Sequence, residues 1–200
     1  IAGMGSDLFD SYVASIIAAM MLAASIAFTR ANVTMELRYY FVIYPVLLCG
    51  IGLLASLIGI FLIKWKGSED PGKSLNAGTY IATLIFAGLS ALFTFFLTLA
   101  VQETTVVAEI WRLYGASIIG LFSGIIIGFT SDYFTRDDKA PTRNMAYAAQ
   151  EGHAVVILSG FSYGLLSVVP PAIGIVIAMT IAYLLGGIFG VAMSAVGMLS

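Results

Sequence analysis

Cysteine and histidine are almost absent: the 200 residues hold one of each, Cys49 and His153. A disulfide framework needs pairs, and a thiolate or imidazole metal cluster needs several ligands, so both are excluded. Charge is scarce as well. Asp, Glu, Lys and Arg make up 10% of the chain, against about 25% in soluble domains. Hydrophobic residues fill 60% and the mean hydropathy is +1.00. No water-soluble core has that composition; an integral, multi-pass membrane protein does. With 9 basic against 11 acidic residues, no nucleic-acid partner is expected. No basic leader or cleavage site precedes the apolar run at Ile1, and Ser200 falls within another apolar run, so the sequence reads as an internal piece of a longer protein.

What is present is a set of long apolar runs, each near the ~20 residues that cross ~30 Å of hydrocarbon. They cover Ala2–Thr29, Phe41–Ile63, Ala77–Val101, Leu113–Phe134 and Ala154–Ser200. The last is uncharged throughout and too long for one crossing. It is expected to hold two, with a kink at Pro170-Pro171 and a turn at Gly186-Gly187. The expected fold is therefore an all-α, polytopic transmembrane helix bundle of about six spans, with 1–200 as a single transmembrane region. Lys64, Lys66, Lys73, Arg136, Lys139 and Arg143 fall in the second and fourth connections, whereas the first and third hold only Arg30, Arg38 and Arg112. That bias puts the second and fourth connections on the cytoplasmic side. Tyr39, Tyr40, Tyr44, Trp65, Trp111, Tyr114 and Tyr133 then read as an aromatic belt at the span ends. Gly120, Gly124 and Gly128, and again Gly160 and Gly164, have the four-residue spacing of closely packed membrane helices.

The chemistry-bearing residues stand at the head of the first run. Asp10 and Ser11 follow Asp7 by three and four residues, so the three share one helical face, continued by Gly3, Ala14, Ser15 and Ala18. An ionised Asp inside a bilayer costs ~2.5–3.5 kcal/mol on insertion scales, so chains keep one where it faces protein, water or an ion. Oxygens at this spacing can ligate a hard cation or pass a proton, and two nearby carboxylates tend to retain one proton between them. The alternative is that both acids cap a helix N-terminus at headgroup level. Asp132, Arg136, Asp137, Asp138 and Lys139 read as the solvated end of a span, His153 as interfacial, and Glu103 and Glu109 as outer-loop residues.

Several runs carry a family resemblance. Ile1-Ala2-Gly3-Met4-Gly5-Ser6-Asp7-Leu8-Phe9 resembles the stretch that follows the acidic Asp-Asn-Val-Gly-Asp repeat of membrane-bound, vacuolar-type ion-translocating pyrophosphatases. Residues 125–135 followed by Ala140-Pro141, the Gly160, Gly164 and Ser167 spacing, and 190–200 are similar to further helices of that family. The resemblance implies a pump that hydrolyses pyrophosphate, bound as a Mg2+ complex on the cytoplasmic side, and drives H+ or Na+ outward. Asp7 matches the family's ion gate. Asp10 matches a position where sodium pumps often carry Glu, and Ser11 a neighbouring ligand, making Asp10 and Ser11 the candidate Na+ ligands. No catalytic residue is expected in this stretch, whose pyrophosphate and magnesium ligands lie mostly outside it, so the piece alone is expected to be inactive. K+ dependence, a homodimer, and residence in a prokaryotic plasma membrane or an acidic organelle membrane are further family expectations. Two departures stand out: Ala14 occupies the position of the plant-type gate Glu, and Val155-Val156 replaces a common Thr-Asn pair. A secondary transporter or channel without hydrolytic activity is the alternative that the acidic helix and the broken last run also fit.

Overall fold

The computed structural model describes residues 2–29, 35–66, 71–100 and 104–199. Every element among them is helical: α1 (Ala2–Thr29), α2 (Met35–Lys66), α3 (Pro71–Ala100), α4 (Thr104–Thr135), α5 (Ala140–Glu151) and α6 (His153–Leu199). Five stretches are long and apolar enough to cross a membrane. The helices outrun the apolar windows at their ends because backbone hydrogen bonds continue through charged, interfacial turns. α2 starts at Met35 and α4 at Thr104, so Glu109 and Arg112 are helical residues rather than loop residues. Glu103 lies outside the described residues.

α6 is two helices. Its backbone stays helical through Pro170 and Pro171, but Gly186 (φ −138°, ψ 15°) and Gly187 (φ 62°, ψ −149°) leave helical geometry. The Gly187 conformation is one that side-chain-bearing residues avoid. There the chain reverses: a Cβ at Gly190 would strike the Ala182 backbone. The expected turn at Gly186-Gly187 is thus present, whereas the expected proline kink does not interrupt the helix. The second arm, 188–199, is about 18 Å long at 1.5 Å per residue.

Both arms of α6 lean on α4, the most extensive helix pairing in the bundle. In lipid there is little hydrophobic gain from bringing helices together, so contact depends on close van der Waals fit. Glycine supplies it. Gly120 faces the Ser194 backbone, Gly197 faces the Ser117 backbone, and a Cβ on Gly124 would lie 3.1 Å from the Met198 carbonyl. Gly128 and Gly164 meet nothing within 4 Å, so the spacing serves packing at only part of its length. Around this pair, Leu48, Phe86, Ala116, Ala182 and Met193 form the buried core.

Gly115 sits against Leu185 and Gly174 against Ile126, which makes α4 antiparallel to the first arm and sets Thr135 level with residue 165. The first arm therefore extends roughly a dozen residues, or ~18 Å, past the end of α4. α5 turns back along that extension. Asn144 Nδ2 donates to the Tyr163 hydroxyl at 2.7 Å, and Met145 Sδ packs over Gly160. No helix was expected at 140–151, a polar segment beyond the reach of a hydropathy window; Pro141 in its first turn and Gly152 at its end (φ 135°) are the local signals.

A candidate ion-conducting face on the first helix

The packed face of α1 is set by side-chain size. Tyr12, Ile16, Ala19 and Ala23 recur along one side, where Ala19 (0% exposed) and Ala23 (1%) let α1 approach α2 and the second arm of α6. Tyr12 adds a polar contact, its hydroxyl donating to the Cys49 carbonyl of α2 at 3.0 Å. At 100° per residue, Asp7, Asp10 and Ser11 fall roughly 100–160° around the helix from this seam. All three are exposed, with Ala14 and Ala18 continuing the same stripe. Ser15 Oγ donates to the Ser11 carbonyl at 2.9 Å, a local bond that leaves the Ser11 hydroxyl available.

Among the described residues neither carboxylate has an ion-pair partner. Nor do they cap the helix: α1 starts at Ala2 and has no acid in its first turn, so Asp7 and Asp10 belong to its second and third turns. The acids lie on the face that this bundle leaves unpacked.

The acidic end of α4 has a different character. Asp132 Oδ2 accepts from Asn76 Nδ2 of α3 at 3.3 Å and from Arg136 Nη1 at 3.4 Å, while Arg136 Nε pairs with Asp138 at 3.1 Å. Asp132 and Asn76 close one end of a half-open cavity of about 470 Å³ between α2, α3, α4 and the tip of α6, lined also by Thr79, Phe129 and Met198. The solvated-end reading holds for Asp137 and Asp138, which are exposed, but Asp132 clamps α3 to α4. Sequence reasoning missed Asn76, since a single amide at the start of an apolar run has no partner visible in one dimension. His153 is exposed at the start of α6.

A buried polar cluster was also missed. Tyr44 is 3% exposed and its hydroxyl pairs with Thr94 Oγ1 at 3.1 Å. Thr94 Oγ1 donates in turn to the Ser90 carbonyl at 2.7 Å, and the Tyr114 hydroxyl donates to the Ala87 carbonyl at 3.0 Å. Tyr44 and Tyr114 therefore tie α2 and α4 to α3 rather than joining a lipid-facing belt, whereas Tyr39, Tyr40, Trp111 and Tyr133 are exposed. The side chain of Trp65 lies outside the described residues. No group of three or more His, Cys, Asp or Glu side chains converges among the described residues.

Comparison with known proteins gives a consistent result. A family profile described as inorganic H+ pyrophosphatase matches residues 1–200. The chain is 34% identical, over its whole length, to a K+-insensitive pyrophosphate-energized proton pump of Caldanaerobacter subterraneus. It is 32% identical, over 98% of its length, to a K+-stimulated pyrophosphate-energized sodium pump of Thermotoga maritima. Identity to a K+-insensitive pyrophosphate-energized proton pump of Moorella thermoacetica is 33% over the whole chain. In each case the chain spans 29% of the relative's length.

Proposed function

Since the chain belongs to the inorganic H+ pyrophosphatase family, we propose that it forms part of a membrane pump in which pyrophosphate hydrolysis drives H+ or Na+ outward, with Asp7, Asp10 and Ser11 lining the ion gate. The observation that carries this reading is the placement of both carboxylates on the unpacked face of an apolar helix, past its first turn, in a chain matched along its whole length by pyrophosphate-energized pumps.

The chemistry follows from charge. Two carboxylates on one face hold a cation or share a proton, because their mutual repulsion raises the proton affinity of one of them. Hydrolysis on the cytoplasmic side changes the charge above Asp7, and the ion held by Asp7, Asp10 and Ser11 is released outward. Moving one charge against 100 mV requires ~2.3 kcal/mol, a modest demand on a phosphoanhydride bond. Asp10 and Ser11 are the Na+ ligands if sodium is the cargo. Pyrophosphate arrives as its magnesium complex, whose ligands belong to segments beyond these residues. K+ stimulation and a homodimeric assembly complete the proposal.

The test uses the full-length protein in sealed vesicles, following pyrophosphate-driven acidification and ²²Na+ uptake in parallel. Asp7→Ala is expected to abolish uptake of whichever ion moves. Undiminished transport by that variant removes Asp7 from the gate, and transport without pyrophosphate consumption favours a secondary transporter.

A further inference from the structure

We propose that Tyr12 is a positioning residue for ion coupling: its hydroxyl bond to the Cys49 carbonyl fixes how α1 is rotated and how deep it sits, and so where Asp7, Asp10 and Ser11 point. The inference rests on the gate reading above but concerns a residue on the opposite side of the helix.

Three observations carry it. Tyr12 is adjacent to Ser11 and two residues from Asp10, so any rotation it prevents is transmitted through less than one helical turn. Below it, the seam of α1 is made of Ile16, Ala19 and Ala23. Two of these are methyl groups, whose contacts exclude lipid but tolerate sliding along the axis. A hydrogen bond does not, because donor and acceptor must meet within a few tenths of an ångström and with near-linear geometry. The Tyr12 bond reaches across helices to α2 at 3.0 Å, whereas Ser15 bonds only within α1. α2 is in turn tied to α3 through Tyr44 and Thr94, so Tyr12 references the acidic face to a braced wall. Hydrolysis that moves α1 works against this directional contact; with it weakened, the acidic face is held less firmly and hydrolysis proceeds with the ion more often left behind.

The experiment compares Tyr12→Phe, which deletes one oxygen and keeps the ring, with Ile16→Ala, which loosens the same seam and keeps the bond. Both are measured in the full-length pump, in sealed vesicles, as ions transported per pyrophosphate hydrolysed. Tyr12→Phe is expected to retain most hydrolysis while the ratio falls roughly threefold or more, within what an interhelical hydrogen bond of ordinary membrane strength can bias. Ile16→Ala is expected to lower thermal stability and leave the ratio unchanged. A wild-type ratio in Tyr12→Phe, an equal fall in Ile16→Ala, or failure of Tyr12→Phe to assemble would each overturn the inference, the last two by marking Tyr12 as ordinary packing. Asp7→Ala run alongside separates the two ideas. A transport-dead Asp7→Ala beside a fully coupled Tyr12→Phe removes only the positioning role, whereas an active Asp7→Ala removes the gate itself.

Discussion

Ser123 is 3% exposed on α4, and its hydroxyl has no hydrogen-bond partner among the described residues. A buried hydroxyl in that state loses its solvation and gains nothing in return, a penalty of about 1–3 kcal/mol. Ser123→Ala is therefore expected to leave stability unchanged or raise it, read as the thermal midpoint of the detergent-solubilised full-length protein. Tyr44 is the opposite case. Tyr44→Phe keeps the stacking on Phe93 (centroids 6.4 Å apart) and removes the bond to Thr94. The expected loss is about 0.6 kcal/mol, and no more than about 1.7, the range of side-chain hydrogen bonds between membrane helices. A loss several times larger would mean that Tyr44 holds more than one contact. The two residues also mark where sequence reading stops. A tyrosine near a span end carries the same signal whether its hydroxyl meets headgroups or a threonine fifty residues away, so Tyr44 and Tyr114 were legible as aromatic but not as ties between helices.

Helices were far more legible, their ends less so: α2 and α4 begin six and nine residues before the apolar runs at Phe41 and Leu113. Each apolar run became a helix, and Gly186-Gly187 became the reversal, because a run of uncharged residues longer than a bilayer must turn and glycine is where turning is cheapest. The glycine repeats were legible as packing but not as unequal packing, since spacing gives a face and not a neighbour. That inequality is measurable. Gly120→Ala sets a Cβ against the Ser194 backbone, which cannot move aside as a flexible side chain would; overpacking of this kind costs about 1–3 kcal/mol. Gly128→Ala meets empty space and replaces a poor helix former, so it is expected to be neutral or to stabilise by about 0.5–1 kcal/mol. Gly187→Ala is expected to destabilise through strain at φ 62° instead of contact, again by about 1–3 kcal/mol. Comparable thermal midpoints for all three variants would contradict the arrangement of α4 and α6 described above.

At the scale of the whole molecule, family membership and a membrane-spanning architecture were readable from the motifs and from 60% hydrophobic content. Ion identity was not. Proton- and sodium-pumping relatives are 34% and 32% identical to this chain, and a two-point difference cannot separate them. The orientation inferred from basic residues makes a separate prediction. Trypsin added to vesicles of known sidedness is expected to cut the α4–α5 connection, at Arg136 or Lys139, only where the cytoplasmic face is accessible. Cleavage from the other side alone would invert the topology and place Asp7 nearer the outer leaflet.

The unpacked acidic face of α1 has one more consequence. On the proposed gate, this bundle supplies a single bank of the path past Asp7, Asp10 and Ser11, and the facing bank would come from outside residues 1–200. Selectivity would then be a joint property of both sides. A chimera that grafts residues 1–200 into a relative pumping the other ion should inherit these oxygens without their counterparts. It should emerge with a mixed or weakened preference in place of a clean exchange of cargo.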